Sequence, residues 1–191
     1  SRMMGENEHE TVRAVQTLRA NLLDPVISEH EGVVLKALGE GWLVEFMSTV
    51  AAVNAAMRIQ DRLSTNATLS LRIGIHIGAV TKTADDFYGE GVNIASRLEA
   101  LAPEGGILIS DAVYASLDGT LSPSFSDNGV RQLKNIERKI PTWVREGSHE
   151  TANRPTAKTP ARSGVFPVLS LAPVSSSQEN GEVLDLATAI S

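Results

Sequence analysis

Lys36 stands inside the apolar run VVLKAL (33–38), and Glu40 sits in a Gly-Glu-Gly pinch just before a second apolar run, WLVEF (42–46). An unpaired buried ammonium is costly, so Lys36 either reaches water or meets an anionic or hydrogen-bonding partner. Asp86 precedes a segment carrying Asn93 and Arg97 at i, i+4, which puts an amide and a cation on one helix face. Together they suit an anionic ligand, although such pairs are also common on solvated helices. His76 has no serine or carboxylate at a catalytic spacing and reads as a sheet-face histidine; a hydrolase built around it is the remote alternative.

These residues need elements to position them. Asn7 and Glu10 have the spacing of a capping box, and Val15, Leu18, Leu22 and Val26 recur at helical intervals, predicting a helix from about residue 8 to about 30 that Pro25 kinks or ends early. The runs around Gly39-Glu40-Gly41 predict an antiparallel hairpin with a tight turn. Ser48 is placed to cap a second helix whose Ala52, Ala56, Ile59 and Leu63 share a face. Leu69, Leu71, Ile73, Ile75 and Ile77 alternate with polar or small residues, as a half-buried strand does. Ile94, Leu98 and Leu101 then form a helical stripe that stops near Pro103 and Gly105. GILIS (106–110) reads as a strand, followed by a short helix near 112–117 and strands around 123–136 and 141–146. This order predicts an α+β layer, helices packed on a mainly antiparallel sheet. Residues 148–164 are polar and aperiodic, a flexible linker in expectation. Beyond them, VFPVLSLAPV predicts a strand and GEVLDLATAIS a helix, the expected opening of a second domain.

Composition narrows the function classes. With 191 residues, 42% of them hydrophobic, the chain can bury one good core and part of another. A net charge of −6 argues against nucleic acid as partner, since phosphate neutralisation calls for a basic patch. The absence of cysteine excludes disulfides, thiolate metal sites and cysteine nucleophiles, and the four histidines lack ligand-like spacing. No apolar stretch reaches the roughly 18 to 20 residues of a membrane helix, and SRMMGENEHE lacks the apolar core of a signal peptide. The expectation is a cytoplasmic chain without a membrane segment, and its start at Ser1 suggests a fragment.

In combination, LKALGEGWLVEF, RIGIHIGAV, DFYGEGVNIASRLE, GGILIS and QLKNI follow one another at intervals that resemble the class III nucleotidyl cyclase catalytic domain, especially its bacterial adenylate cyclase branch. The likeness runs from Ser1 to about residue 146, and VNIASRLE carries most of it. The resemblance implies a ferredoxin-like cyclase fold of βαββαβ type, lacking its first strand in this sequence, and a head-to-tail homodimer with the nucleotide between protomers. It also implies conversion of ATP to cyclic AMP and pyrophosphate with two divalent ions, Mg²⁺ or Mn²⁺. An alternative from another class is a degenerate cyclase-like module that binds nucleotide or dimerises in a regulatory role.

Residue by residue, Lys36 matches the family lysine that reads the purine and Asp86 its acidic partner; an ammonium and a carboxylate complement adenine's acceptor nitrogen and exocyclic amine, favouring ATP. Asn93 matches the asparagine that orients the ribose and Arg97 the arginine that steadies the pentavalent phosphorus. Lys134 matches the lysine that holds the outer phosphates. The first metal aspartate is expected on a strand preceding the segment SRMMGE, so the chain as given is expected to be inactive alone. The second belongs at the hairpin turn, where Glu40 stands with one methylene more, and magnesium tolerates little departure from octahedral geometry. The boundaries expected are a catalytic domain over 1–147, a linker over 148–164, and the start of a second domain over 165–191, faintly similar to a Tol-type strand-and-helix unit.

Overall fold

The computed structural model describes residues 13, 15–38, 41–64, 70–83, 86–147, 168–175 and 183–188. Strands β1 (Val33–Leu38) and β2 (Gly41–Phe46) pair antiparallel with Leu38 opposite Gly41, as the expected hairpin requires. Their register shifts between Val34 and Lys36. Val34 opposes Val44 on the core side and Lys36 opposes Leu43 on the other, so a bulge puts Leu35 and Lys36 on one face. Strict alternation from Val34 would have turned the ammonium into the main core.

Helix α1 (Asp24–Glu29) follows a π-helical turn, Arg19–Leu23, in which the Asp24 N–H reaches back to the Arg19 carbonyl. The wide turn lies directly before Pro25, which has no N–H to donate, so the helix runs on instead of stopping. In consequence the buried stripe steps five residues, from Leu18 to Leu23, before continuing through Val26 and Ile27. Helix α2 (Thr49–Ser64) begins where expected, with Ser48 Oγ accepting the Ala51 N–H at 3.1 Å. Its Ala52, Ala55, Ala56 and Ile59 meet α1 and the sheet in the main core, alongside Trp42, Val44, Phe46, Leu71, Ile73 and Ile75.

Strand β3 (Arg72–Lys82) has helices on both sides. Its isoleucines face α1 and α2, while Gly74 and Gly78 face helix α3 (Glu90–Leu101). A Cβ on Gly74 would lie 2.3 Å from the Glu99 nitrogen, and one on Gly78 would lie 2.7 Å from the Gly91 Cα, so backbone packs on backbone along this seam. After β4 (Phe87–Tyr88), which folds back on the end of β3, come α3, β5 (Ile107–Ser110), the one-turn helix α4 (Asp111–Tyr114), β6 (Ser126–Gln132) and β7 (Lys139–Arg145). Tyr114 stacks on Trp143 with centroids 3.5 Å apart, tying α4 to β7.

The sheet runs β1-β2-β8-β9-β3-β5-β7-β6, with β4 off this path. Strand β8 (Val168–Ser175) lies parallel to both β2 and β3, with Leu169 opposite Trp42 on one side and Ile73 on the other. Strand β9 (Val183–Thr188) runs antiparallel to the second half of β3, from His76 opposite Thr188 to Thr81 opposite Val183. The helix expected in GEVLDLATAIS is thus a strand. Six residues alternating around Leu184 and Leu186 are a poor helix on their own, and pairing with β3 satisfies their backbone. The Asn7–Glu10 capping box and the 148–164 linker lie outside the described residues.

Candidate functional site

On the α3 side of the sheet, the turn between β3 and β4 brings Asp86 over β1. Thr83 builds the turn: its N–H and hydroxyl donate to the Asp86 carbonyl at 2.8 and 3.0 Å, and its Oγ accepts the Asp86 N–H at 3.1 Å. Phe87 then packs with Leu35, Leu43, Val92 and Ala95. So placed, Asp86 Oδ1 accepts Lys36 Nζ at 2.6 Å and the Phe87 N–H at 2.8 Å. The lysine hydrogen bond and then the backbone N–H hold its carboxyl below the usual range. The partner that Lys36 required is therefore Asp86, one of the residues singled out from the sequence.

Helix α3 buries Ile94, Ala95 and Leu98, leaving Asn93 exposed and Arg97 half-buried on the adjoining face. The Nε of Arg97 is itself buried, with no hydrogen-bond partner among the described residues. An orphaned charged donor of this kind is costly unless an acceptor arrives from outside.

Lys134 comes to the same helix from the turn between β6 and β7. Leu133 and Ile136 are buried against Ile94 and Leu98, the Ile136 N–H closes on the Leu133 carbonyl at 3.2 Å, and Gln132 Nε2 caps the Ile136 carbonyl at 2.5 Å. Asn135 takes φ = 62°, a left-handed conformation that asparagine tolerates. Lys134 and Asn135 thus project to solvent while their flanks are bolted to α3.

Two further titratable groups line this face. His76 Nδ1 lies 2.8 Å from Ser110 Oγ, a contact the sequence spacing concealed because β3 and β5 bring the two together. Both side chains are sealed, 3% and 1% exposed, so the pair has no access to a substrate and the hydrolase reading fails. Burial, then the nearby Arg138 guanidinium, lowers the His76 pKa to about 4, leaving the ring neutral. Glu99, pressed against β3 beside Arg72, is pushed up to about 7 by burial.

Among the described residues no group of three His, Asp or Glu side chains converges as a metal site. Glu40, the expected metal ligand, lies outside them.

Residues 3–147 match the family model described as adenylate and guanylate cyclase catalytic domain. The chain belongs to this family. Putative adenylate cyclase 3 of Rhizobium meliloti is 32% identical over 97% of this chain and 34% of its own length. An adenylate cyclase of Streptomyces griseus is 34% identical over 61% of the chain and 28% of its own length. The chain thus spans about a third of the length of the curated relatives it matches. Among solved structures, an adenylate/guanylate cyclase/hydrolase from Silicibacter pomeroyi superposes with a TM-score of 0.69 at 34% identity, covering 76% of this chain and 88% of that one. A Trypanosoma brucei adenylate cyclase shares the fold at 18% identity, with a TM-score of 0.60 over 74% of this chain and 82% of that one. As a cyclase catalytic domain, the chain therefore has the α+β architecture expected from its sequence, with Lys36 and Asp86 joined and Asn93, Arg97 and Lys134 carried on or against one helix.

Proposed function

We propose that this domain is the catalytic unit of an adenylate cyclase, converting ATP to cyclic AMP and pyrophosphate at the interface of a head-to-tail homodimer in cytoplasmic signal transduction. The Lys36–Asp86 pair carries the reading: it sets a donor and an acceptor 2.6 Å apart, the complement of adenine's ring nitrogen and exocyclic amine. Lys36 and Asp86 bind the purine, Asn93 orients the ribose, and the outer phosphates rest on Lys134. The ribose 3′-oxygen forms a bond to the α-phosphorus as its proton passes to solvent water, and the bond from that phosphorus to the bridging oxygen breaks to release pyrophosphate. Arg97, half-buried on the same face of α3 as Asn93, faces the charge that builds on the pentavalent phosphorus.

Divalent ions, Mg²⁺ or Mn²⁺, would supply hydroxyl activation and charge neutralisation, with Glu40 as one carboxylate ligand. The catalytic unit is assigned to 1–147, in line with the matched span of 3–147, followed by a linker over 148–164. The start of a further unit is assigned to 165–191.

The deciding assay follows cyclic AMP and cyclic GMP formation by the complete protein that contains this domain, with Mg²⁺ and Mn²⁺. Cyclic AMP formation from ATP is expected; its absence, with ATP binding that ignores the metal, would leave the degenerate regulatory module, which Glu40 in an aspartate position favours.

A further inference from the structure

Lys134 is the phosphate-side group in the proposed reading that no helix or strand holds directly. Its turn meets α3 twice. Leu133 and Ile136 plug into Ile94 and Leu98, and two residues further on Arg138 Nε donates to Glu90 Oε1 at 3.1 Å. Glu90 is the first residue of α3, where the helix dipole favours its carboxylate. The plugs fix the base of the turn, while the ion pair spans from the loop's far end to the start of the helix that presents Asn93 and Arg97.

We propose that Glu90 and Arg138 are positioning residues, a latch that holds the Lys134 turn in register with the nucleotide-facing side of α3. The pair is 58% and 60% exposed, so its contribution to global stability is small, and its effect falls on the local geometry of the turn. Three groups in two segments then act as one array: when the latch opens, Lys134 swings on the Leu133 and Ile136 anchors while Asn93 and Arg97 stay in place. This inference rests on the nucleotide reading for what Lys134 contacts, but not for the latch itself.

The test is a charge-swap cycle in the complete protein: Glu90→Arg, Arg138→Glu and the double exchange, with Arg138→Gln as a milder break. Hydrogen exchange at the amides of residues 133–138 reports the latch without reference to activity. Each single variant should exchange there about three to ten times faster, the range set by an exposed ion pair turned repulsive, and the double exchange should return toward the parent. In the cyclase assay, Lys134→Ala should raise KM for ATP several-fold in the parent and have less effect beside Arg138→Gln. A purely structural pair would not produce that coupling. Unchanged exchange in the singles, or a Lys134→Ala effect of equal size in both backgrounds, overturns the proposal. Absence of any turnover with the exchange pattern intact discards the nucleotide reading and leaves the latch.

Discussion

Lys36 and Asp86, fifty positions apart, meet at 2.6 Å because a bulge in β1 turns the lysine toward α3 and a threonine-built turn carries the aspartate over it. In the proposed reading this pair sets purine choice. Lys36→Ala should lower kcat/KM for ATP by about 10- to 100-fold, the cost of one charged hydrogen bond of about 1.5–3 kcal/mol, and should change the smaller rate with GTP little. Parallel kinetics with the two nucleotides check it; equal losses for both would remove the pair from specificity.

Arg97→Ala should lower kcat by about 10²- to 10³-fold with a small change in KM, since the arginine is assigned to charge present only in the transition state. A rise in KM at constant kcat would reassign it to ground-state binding.

Glu40→Asp shortens a proposed metal ligand by one methylene. Activity supported by Mg²⁺ should rise several-fold relative to that with Mn²⁺, because magnesium is the stricter of the two about octahedral geometry at about 2.0–2.1 Å. A metal titration of the variant decides the matter, and an unchanged ratio excludes Glu40 as a ligand.

Buried His76 and half-buried Glu99 give the stability opposite slopes with pH. Glu99 has its pKa raised to about 7, so its contribution is fully present below the unfolded value near 4.5 and is lost as pH rises through 7. His76, lowered to about 4, contributes stability present above its unfolded value near 6.5 and lost as pH falls toward 4. Thermal unfolding across pH 4–8 should therefore show Glu99→Gln flattening the loss toward pH 7 and His76→Gln flattening the loss on the acid side. A parental profile in either variant rejects the corresponding assignment.

Gly74→Ala forces a methyl against the backbone of Glu99 and Ala95, where no side chain is available to move. A destabilisation of about 1–3 kcal/mol is expected, read as a lower urea midpoint at unchanged m-value. Gly129→Ala, which meets nothing within 4 Å but sits at φ = 74°, separates backbone strain from overpacking.

The sequence was most legible where one periodicity governs a long element. Alternating isoleucines placed β3, and Ile94 with Leu98 placed α3, whose remaining face carries Asn93 and Arg97. It was least legible where a single residue breaks the period. The bulge beside Leu35 decides where Lys36 points, and the π-turn before Pro25 makes Leu23, with Leu22 only partly buried beside it, the sealed residue of that turn. Contacts made by the sheet were hidden altogether: His76 meets Ser110 only because β3 and β5 are neighbours, and Arg138 meets Glu90 across 48 positions. The i, i+3 pair Leu133 and Ile136 around Lys134 was the one signal of the anchored turn, and it is short enough to pass for chance.

The glycine seam has a metrical consequence. Where Gly74, Gly78 and Gly91 bring main chain onto main chain, the stand-off of α3 from β3 is set at those points by atomic radii and has no rotamer through which to adjust. Lys36 belongs to the sheet and Arg97 to the helix, so in the proposed reading the separation between the base-reading end and the phosphorus-facing end of the site is a fixed length. On that reading the fold works as a ruler, which a nucleotide spans from base to α-phosphate to engage both ends at once.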